Sequence, residues 1–93
     1  MLVVRDIFTA KPGNASKLAK IFKQAMPKAR IMTDLVGEYN TVVMEIQVKD
    51  LAEFERFMEE YRTGKMDPAT VAAMKGYTEL YLTGRREIFR VEE

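Results

Sequence analysis

The hydrophobic pattern of the chain changes repeatedly between a period of two and a period of three to four residues. The clearest strand signal runs from Asn40 to Asp50, where apolar residues occupy every second position from Val42 to Val48. Alternation of this kind is typical of a strand with one buried face. The same pattern predicts strands over Leu2–Ala10 and Arg85–Val91, and a weaker one over Arg30–Val36.

Apolar residues at helical spacing predict two long helices between these strands. The first helix begins at Asn14 or Ser16, either of which can cap it, and ends near Pro27. The second extends from Leu51 to about Thr63, and Asp50 is its expected N-cap.

The order of elements predicts a ferredoxin-like α+β fold. A short third helix is expected after Asp67-Pro68, and the path from residue 76 to 84 stays open between helix, strand and turn. Two βαβ halves with right-handed crossovers place the first and third strands at the centre of a four-stranded antiparallel sheet. The helices then cover one face of the sheet. A length of 93 residues predicts a single domain over 1–93.

The sheet face away from the helices is predicted to be too apolar to remain in water. An exposed apolar face of several hundred Å² usually marks an interaction site, and a second copy of the chain would cover it. We therefore expect a homodimer. The residues expected on this open face include Val3, Ile7, Met32, Val43 and Ile88.

Composition excludes several classes of site. The chain has no cysteine and no histidine, so thiol nucleophiles, thiolate or imidazole metal ligands and a proximal haem histidine are all excluded. We expect no metal and no cofactor, and we assign the seven methionines to core packing. No apolar run approaches the length of a membrane span, and the early charges of the N-terminus do not resemble a signal peptide. The expected location is the cytoplasm.

The net charge of +1 is unevenly distributed, because the first 30 residues carry seven cations and one anion. Lys17, Lys20 and Lys23 could form a basic stripe for nucleic acid. No aromatic residue is interleaved with them for base stacking, so we expect no nucleic-acid partner. The favoured interpretation is a basic helix whose exposed flank weakly attracts the acidic second helix.

Candidate chemistry centres on the mixed face of the third strand. Glu45 in a dry pocket would have a raised pKa and could serve as a catalytic base, while Arg5 from the adjacent strand would hold a ligand carboxylate or enolate. The alternatives are a structural Arg5–Glu45 ion pair, and a lumen that receives Asp6 in place of Arg5. The candidate ligand-binding residues are Thr41, Val43, Gln47, Tyr39, Tyr77 and Tyr81.

Two stretches of sequence resemble known proteins. Residues Val4–Gly13, a strand followed by Lys-Pro-Gly and an amphipathic helix, resemble the start of dimeric α+β-barrel proteins. Residues Gly84–Val91 resemble the last strand of the NIPSNAP-like branch, and the element order is similar over essentially the whole chain. The resemblance implies a homodimer whose two sheets form a barrel, with a lumen for a small organic ligand.

The same superfamily includes antibiotic-biosynthesis-type monooxygenases and haem-degrading enzymes. The lack of histidine separates this chain from the haem branches. The resemblance implies a cofactor-independent monooxygenase or isomerase acting on a small organic substrate. The alternative is a non-catalytic ligand-binding or structural homodimer, and no sequence motif decides between them.

Overall fold

The computed structural model describes all residues from 1 to 93 and contains four strands, three α-helices and one 3-10 turn. No helix is both long enough and apolar enough to traverse a lipid bilayer. In chain order the elements are β1 (Leu2–Ala10), α1 (Ala15–Ala25), β2 (Arg30–Thr33), β3 (Thr41–Val48), α2 (Leu51–Arg62), α3 (Pro68–Ala73), the 3-10 turn (Tyr77–Glu79) and β4 (Tyr81–Arg90).

The four strands form one antiparallel sheet in the order β2-β3-β1-β4. The helices lie on one face of the sheet, and β1 and β3 are its central strands, which confirms the predicted ferredoxin-like α+β arrangement. The register places Arg5 of β1 opposite Glu45 of β3 and Glu87 of β4. Arg30 of β2 lies opposite Glu45 from the other side. Paired residues project from the same face of a sheet, so this register determines which side chains can meet.

Strand β2 is shorter than predicted and ends at Thr33 instead of Val36. The Asp34 carboxylate accepts hydrogen bonds from the backbone N–H groups of Tyr39 (2.7 Å) and Thr41 (3.0 Å). These bonds close a loop in which Tyr39 adopts a left-handed backbone conformation with φ of 70°. The side chain of Asp34 therefore replaces the pairing that a longer strand would have made.

Strand β4 is longer than predicted at its N-terminal end and begins at Tyr81 instead of Arg85. The ambiguous segment from residue 76 to 84 divides into the 3-10 turn and the first residues of this strand. Gly84 of β4 lies opposite Phe8, and a Cβ at this position would lie 3.1 Å from two carbons of the Phe8 ring. Glycine inside a strand commonly marks such a close approach.

The helix caps follow the sequence signals with two differences. Helix α1 begins after Asn14, whose side chain makes no capping hydrogen bond. Asp50 caps α2 by accepting from the N–H of Glu53 at 2.9 Å. The Glu53 carboxylate accepts from the N–H of Lys49, whereas a capping box would use the N–H of Asp50, one residue later. Asp67 caps α3 at the N–H of Ala69.

The core lies between the sheet and α1. Leu18 and Phe22 of α1 are completely buried, and they pack against Ala10 of β1 and Val42 of β3. Phe8, Tyr77 and Tyr81 extend this core as a cluster of aromatic rings, which includes a Phe8–Phe22 centroid separation of 5.1 Å. The core between the sheet and α1 therefore combines aliphatic residues with a cluster of four aromatic rings.

The composition of the open face differs from the prediction at one residue. Ile88 is expected on this face, but it pairs with Val4, which is 1% exposed on the helix side of the sheet. The prediction for Ile88 is therefore wrong by one position in β4. The next residue, Phe89, pairs with Val3 and is 47% exposed. The open face keeps an apolar character because a phenylalanine replaces the expected isoleucine.

Candidate functional site

A buried carboxylate with two arginines forms the charged centre of the open sheet face. Glu45 is the one buried charged residue of the protein, with 6% of its surface exposed. One carboxylate oxygen accepts a 2.7 Å hydrogen bond from Nε of Arg5. The other accepts from Nε (3.1 Å) and Nη2 (2.7 Å) of Arg30. We call these three residues the arginine–glutamate cluster.

The cluster holds Glu45 in its ionised form. Hydrogen bonding to Arg5 contributes most to lowering the pKa of the Glu45 carboxyl, with a further contribution from Arg30, while burial acts in the opposite direction. The raised pKa expected from the sequence is therefore wrong in direction. A carboxylate with a lowered pKa and both oxygens occupied is poorly suited to accept a proton from a substrate.

The two arginines lie over Glu45 and present donors to the exterior. Their side chains are 44% (Arg5) and 69% (Arg30) exposed, although both bind the buried carboxylate. Arg5 also lies over the ring of Phe89, with its guanidinium carbon 5.5 Å from the ring centroid. The cluster lines an open depression of about 390 Å³. The residues around the depression are Val3, Arg5, Arg30, Glu45, Gln47, Phe89, Arg90 and Val91.

A second, more enclosed cavity lies on the other side of the sheet, beneath α2 and α3. We call it the helix-side cavity. Its volume is about 100 Å³, and ten of its thirteen lining residues are hydrophobic. Five of these ten are methionines, whose flexible side chains adapt to the shape of a ligand. The full lining is Asp6, Phe8, Phe22, Met26, Met44, Phe57, Met58, Tyr61, Met66, Thr70, Met74, Tyr77 and Arg86.

Two polar pairs contribute to the wall of the helix-side cavity. The hydroxyl oxygens of Tyr61 and Tyr77 are 2.8 Å apart and share a hydrogen bond. Burial, followed by the hydrogen bond with Tyr61, raises the pKa of the Tyr77 hydroxyl above its ordinary value of 10.0. Nε of Arg86 donates to the Asp6 carboxylate at 2.6 Å, and this bond raises the pKa of Arg86. Arg86 also lies over the ring of Phe54 at 5.3 Å.

The structure brings only some of the predicted site residues together. Arg5, Glu45 and Gln47 line the open depression together, and Thr41 and Val43 follow on the same face of β3. Asp6, the alternative to Arg5, lies on the helix side.

The three tyrosines predicted to bind a ligand do not join Glu45. Tyr77 and Tyr81 belong to the helix-side aromatic cluster, because the 3-10 turn carries the chain back over the core before β4 begins. Tyr39 lies in the loop after β2 and is 81% exposed. The depression around Glu45 therefore lacks the three tyrosines that the sequence assigned to the lumen.

Two features of these sites are not predicted from the sequence. Arg30 stands at the start of a weak strand, and only its alternation with Met32 could have assigned it to the open face. The methionines are expected to fill the core, yet five of them line the helix-side cavity. Their convergence depends on α2 and α3 folding over the sheet, which no local pattern reveals.

The architecture is similar to that of several solved structures. An uncharacterised NIPSNAP domain protein from Burkholderia xenovorans superposes with a TM-score of 0.77 at 18% identity, over 99% of this chain and 95% of that one. A NIPSNAP family protein from Agrobacterium tumefaciens gives a TM-score of 0.76 at 16% identity, covering 99% and 86% of the two chains.

An uncharacterised NIPSNAP-like domain protein, also from Burkholderia xenovorans, gives a TM-score of 0.70 at 20% identity, covering 98% and 84% of the two chains. No family model matches the sequence, and no curated protein matches it significantly. At these identities the likeness concerns the fold. The chain therefore has the α+β fold of NIPSNAP-domain proteins, as its first and last strands predicted.

Proposed function

We propose that the protein binds a small organic molecule in the helix-side cavity and acts as a homodimer. The observation that supports binding is the lining of this cavity, where flexible apolar side chains surround the Tyr61–Tyr77 hydroxyl pair. Ligand sites commonly combine a mostly apolar wall with a few convergent polar groups. Tyr77, with its raised pKa, adds a perturbed titratable group of the kind that concentrates at functional sites.

The charges of the cavity indicate a neutral ligand. The cation of Arg86 is matched by the Asp6 carboxylate, which occupies two of its nitrogens at 2.6 and 3.3 Å. The remaining polar groups are hydroxyls, which donate to and accept from an uncharged partner. Aromatic rings and methionine sulfur atoms also interact well with aromatic ligands. The ligand class that fits these groups is a small aromatic compound with a hydroxyl or carbonyl group.

Two roles are compatible with such binding. In a cofactor-independent monooxygenase or isomerase, the substrate supplies the reactivity, and the Tyr77 hydroxyl would donate a hydrogen bond to its oxygen. The lowered pKa of Glu45 argues against that residue as the catalytic base. The catalytic roles of Glu45 and Arg5 stay predictions from the sequence. In a non-catalytic dimer, the same cavity would only retain the ligand. The lining of the helix-side cavity supports ligand binding in either role.

The apolar character of the open sheet face supports the homodimer. Phe89 is 47% exposed there, and Val3, Ile7 and Val43 on the neighbouring strands are all incompletely buried. Face-to-face packing of two such sheets would remove this surface from water and give a barrel. Sedimentation velocity across a concentration series tests this part of the proposal, since a protein that stays monomeric up to millimolar concentration would contradict it.

Methionine methyl resonances test the ligand cavity directly. Phenol is a suitable probe, because it combines one aromatic ring with one hydroxyl. We expect saturable shifts in the methyl signals of the cavity methionines and no shift for the two that lie outside it. Equal shifts at all seven positions, or none, would contradict the proposal. The responsive group is Met26, Met44, Met58, Met66 and Met74, and the internal controls are Met1 and Met32.

The Tyr77→Phe variant tests whether the Tyr77 hydroxyl binds the ligand hydroxyl or whether the cavity binds only the aromatic ring. Removal of the hydroxyl should weaken phenol binding several-fold, because a net hydrogen bond contributes about 1 kcal/mol. Binding of toluene, which has no hydroxyl, should be unchanged in the same variant. An equal loss for both probes would show that the substitution disturbs the cavity rather than a specific contact.

A further inference from the structure

We propose that the depression around the arginine–glutamate cluster binds a small oxyanion that is enclosed when two copies of the chain pair through their open faces. The inference rests on the homodimer of the proposed function but concerns a different site and a different ligand class from the helix-side cavity. The supporting observations are the charge of the depression, the free donors of its arginines and its position on the face proposed to be covered.

The depression carries an excess of positive charge. Two arginine side chains, Arg5 and Arg30, line it from the open face, while Glu45 is its single acidic residue. Arg90 also borders it, but Arg90 pairs with Leu2 and its side chain projects to the helix side of the sheet. The net charge of the depression is therefore +1. The other ion pair of the open face, Arg85–Glu87, is neutral as a pair at a separation of 3.5 Å, so it leaves this excess uncompensated.

Glu45 fixes the geometry of two of these arginines without consuming their donors. Arg5 uses only Nε on the carboxylate, which leaves both terminal nitrogens without a protein acceptor. Arg30 uses Nε and Nη2, so Nη1 remains available. Guanidinium groups bind carboxylate and phosphate oxygens through paired N–H donors. The buried carboxylate thus acts as a scaffold, because holding both side chains in place reduces the entropy lost when an anion binds.

Dimerisation through this face would strengthen the binding of an anion. Pairing would bring two depressions, each with a net charge of +1, into one enclosed space. Desolvation of uncompensated charge is unfavourable, and like charges in a low-dielectric interior repel strongly. A small anion at the centre would receive donors from both copies, so the site is complete only in the dimer. Inorganic phosphate and organic carboxylates share the required chemistry.

The experiment measures the dimer association constant by sedimentation velocity in chloride, phosphate and succinate buffers of equal ionic strength. For the unmodified protein we expect phosphate, succinate or both to raise this constant at least tenfold relative to chloride. A response to phosphate alone would identify a tetrahedral oxyanion, and a response to succinate alone would identify a carboxylate ligand. Either response supports an oxyanion site.

Arg30→Gln is the informative variant, and Lys23→Gln is its matched control. Both remove one positive charge, but Arg30 lies in the depression whereas Lys23 is exposed on α1 at the other side of the sheet. Arg30→Gln removes two hydrogen bonds to Glu45, but Arg5 still binds this carboxylate and the Arg30 side chain is 69% exposed. We therefore expect lower stability without loss of the fold, which circular dichroism verifies. We expect the anion response to fall below threefold in Arg30→Gln and to persist in Lys23→Gln.

The control also separates specific binding from the general strengthening of apolar burial by phosphate, which would act equally on both variants. An identical anion response in Arg30→Gln and Lys23→Gln would overturn the oxyanion site. A dimer that forms equally well in all three buffers would also overturn it and would leave the homodimer standing. A monomer in every buffer would overturn both the oxyanion site and the homodimer, while the methionine titration with phenol reports on the helix-side cavity independently.

Discussion

Replacement of Glu45 by glutamine tests whether the arginine–glutamate cluster stabilises the fold. The glutamine side chain would have nearly the same shape but no charge, and its amide nitrogen would face a guanidinium that is also a donor. The native carboxylate accepts three hydrogen bonds from Arg5 and Arg30, while the substituted amide offers a single acceptor oxygen.

The magnitude follows from the number and burial of these bonds. Hydrogen bonds to charged groups each contribute about 1.5–3 kcal/mol, and breaking a fully buried ion pair costs about 3–5 kcal/mol. The two arginine side chains are 44% and 69% exposed, so water can replace part of what they lose. We therefore expect the free energy of unfolding to fall by about 2 kcal/mol, or about 10 °C in Tm for a chain of this length.

Urea unfolding at pH 7 and fixed protein concentration provides the measurement. The matched control is Glu59→Gln, because Glu59 pairs with Arg62 on the surface of α2 and both side chains are more than half exposed. The control should change the free energy of unfolding by less than about 0.5 kcal/mol. If Glu45→Gln were no more destabilising than this control, the cluster would have no role in stability.

The same variant has a defined pH dependence. The pKa of Glu45 is lowered on folding from its ordinary value of 4.5. A carboxyl with a lowered pKa stabilises the folded state above its unfolded pKa, and this contribution disappears as the pH falls through the folded pKa. The difference in stability between native protein and variant should therefore be full at about pH 6–7 and shrink below about pH 4. If this stability difference stayed constant from pH 7 to below about pH 4, the charge of Glu45 would not be its cause.

Three further predictions concern the loop, the strand and the core. Asp34→Ala should speed amide exchange at Thr41, because the Asp34 carboxylate accepts a hydrogen bond from that N–H. In the native protein the backbone hydrogen bonds lower the pKa of Asp34, so the protection of Thr41 from exchange should weaken as the pH falls below 3.8. Unchanged exchange would contradict this role. Gly84→Ala should destabilise the protein by about 1–3 kcal/mol in urea, since the new Cβ would lie 3.1 Å from the ring of Phe8, which is packed against the rings of Phe22 and Tyr81 and has little room to move. Phe22→Ala should cost about 3–5 kcal/mol by the same assay, since Phe22 is completely buried; a loss below about 1 kcal/mol would contradict its place in the core.

Local sequence signals predicted the elements well where an element depends on residues that are neighbours in the sequence. The bounds of β1 agree at both ends, and Asp50 caps α2 as expected, because strand alternation and capping depend on neighbouring residues. Strand β2 was predicted too long because the Asp34 side chain competes for backbone donors across a loop. Strand β4 was predicted too short because the aromatic cluster that holds Tyr81 joins distant parts of the chain.

The sequence by itself determined the central positions of β1 and β3 and the two faces of β3, because alternation and right-handed crossovers permit few other arrangements. It left open whether Arg5 or Asp6 joins Glu45, and the register of β1 against β3 decides for Arg5. Only the tertiary structure decided what surrounds these residues. Arg30 reaches Glu45 from the adjacent strand β2. Together with Arg5 it lowers the pKa of Glu45, which the sequence predicted to be raised. Five methionines from separate elements meet around one cavity. Both results depend on distances between segments remote in the chain, and the periodicity of a single segment carries no information about such distances.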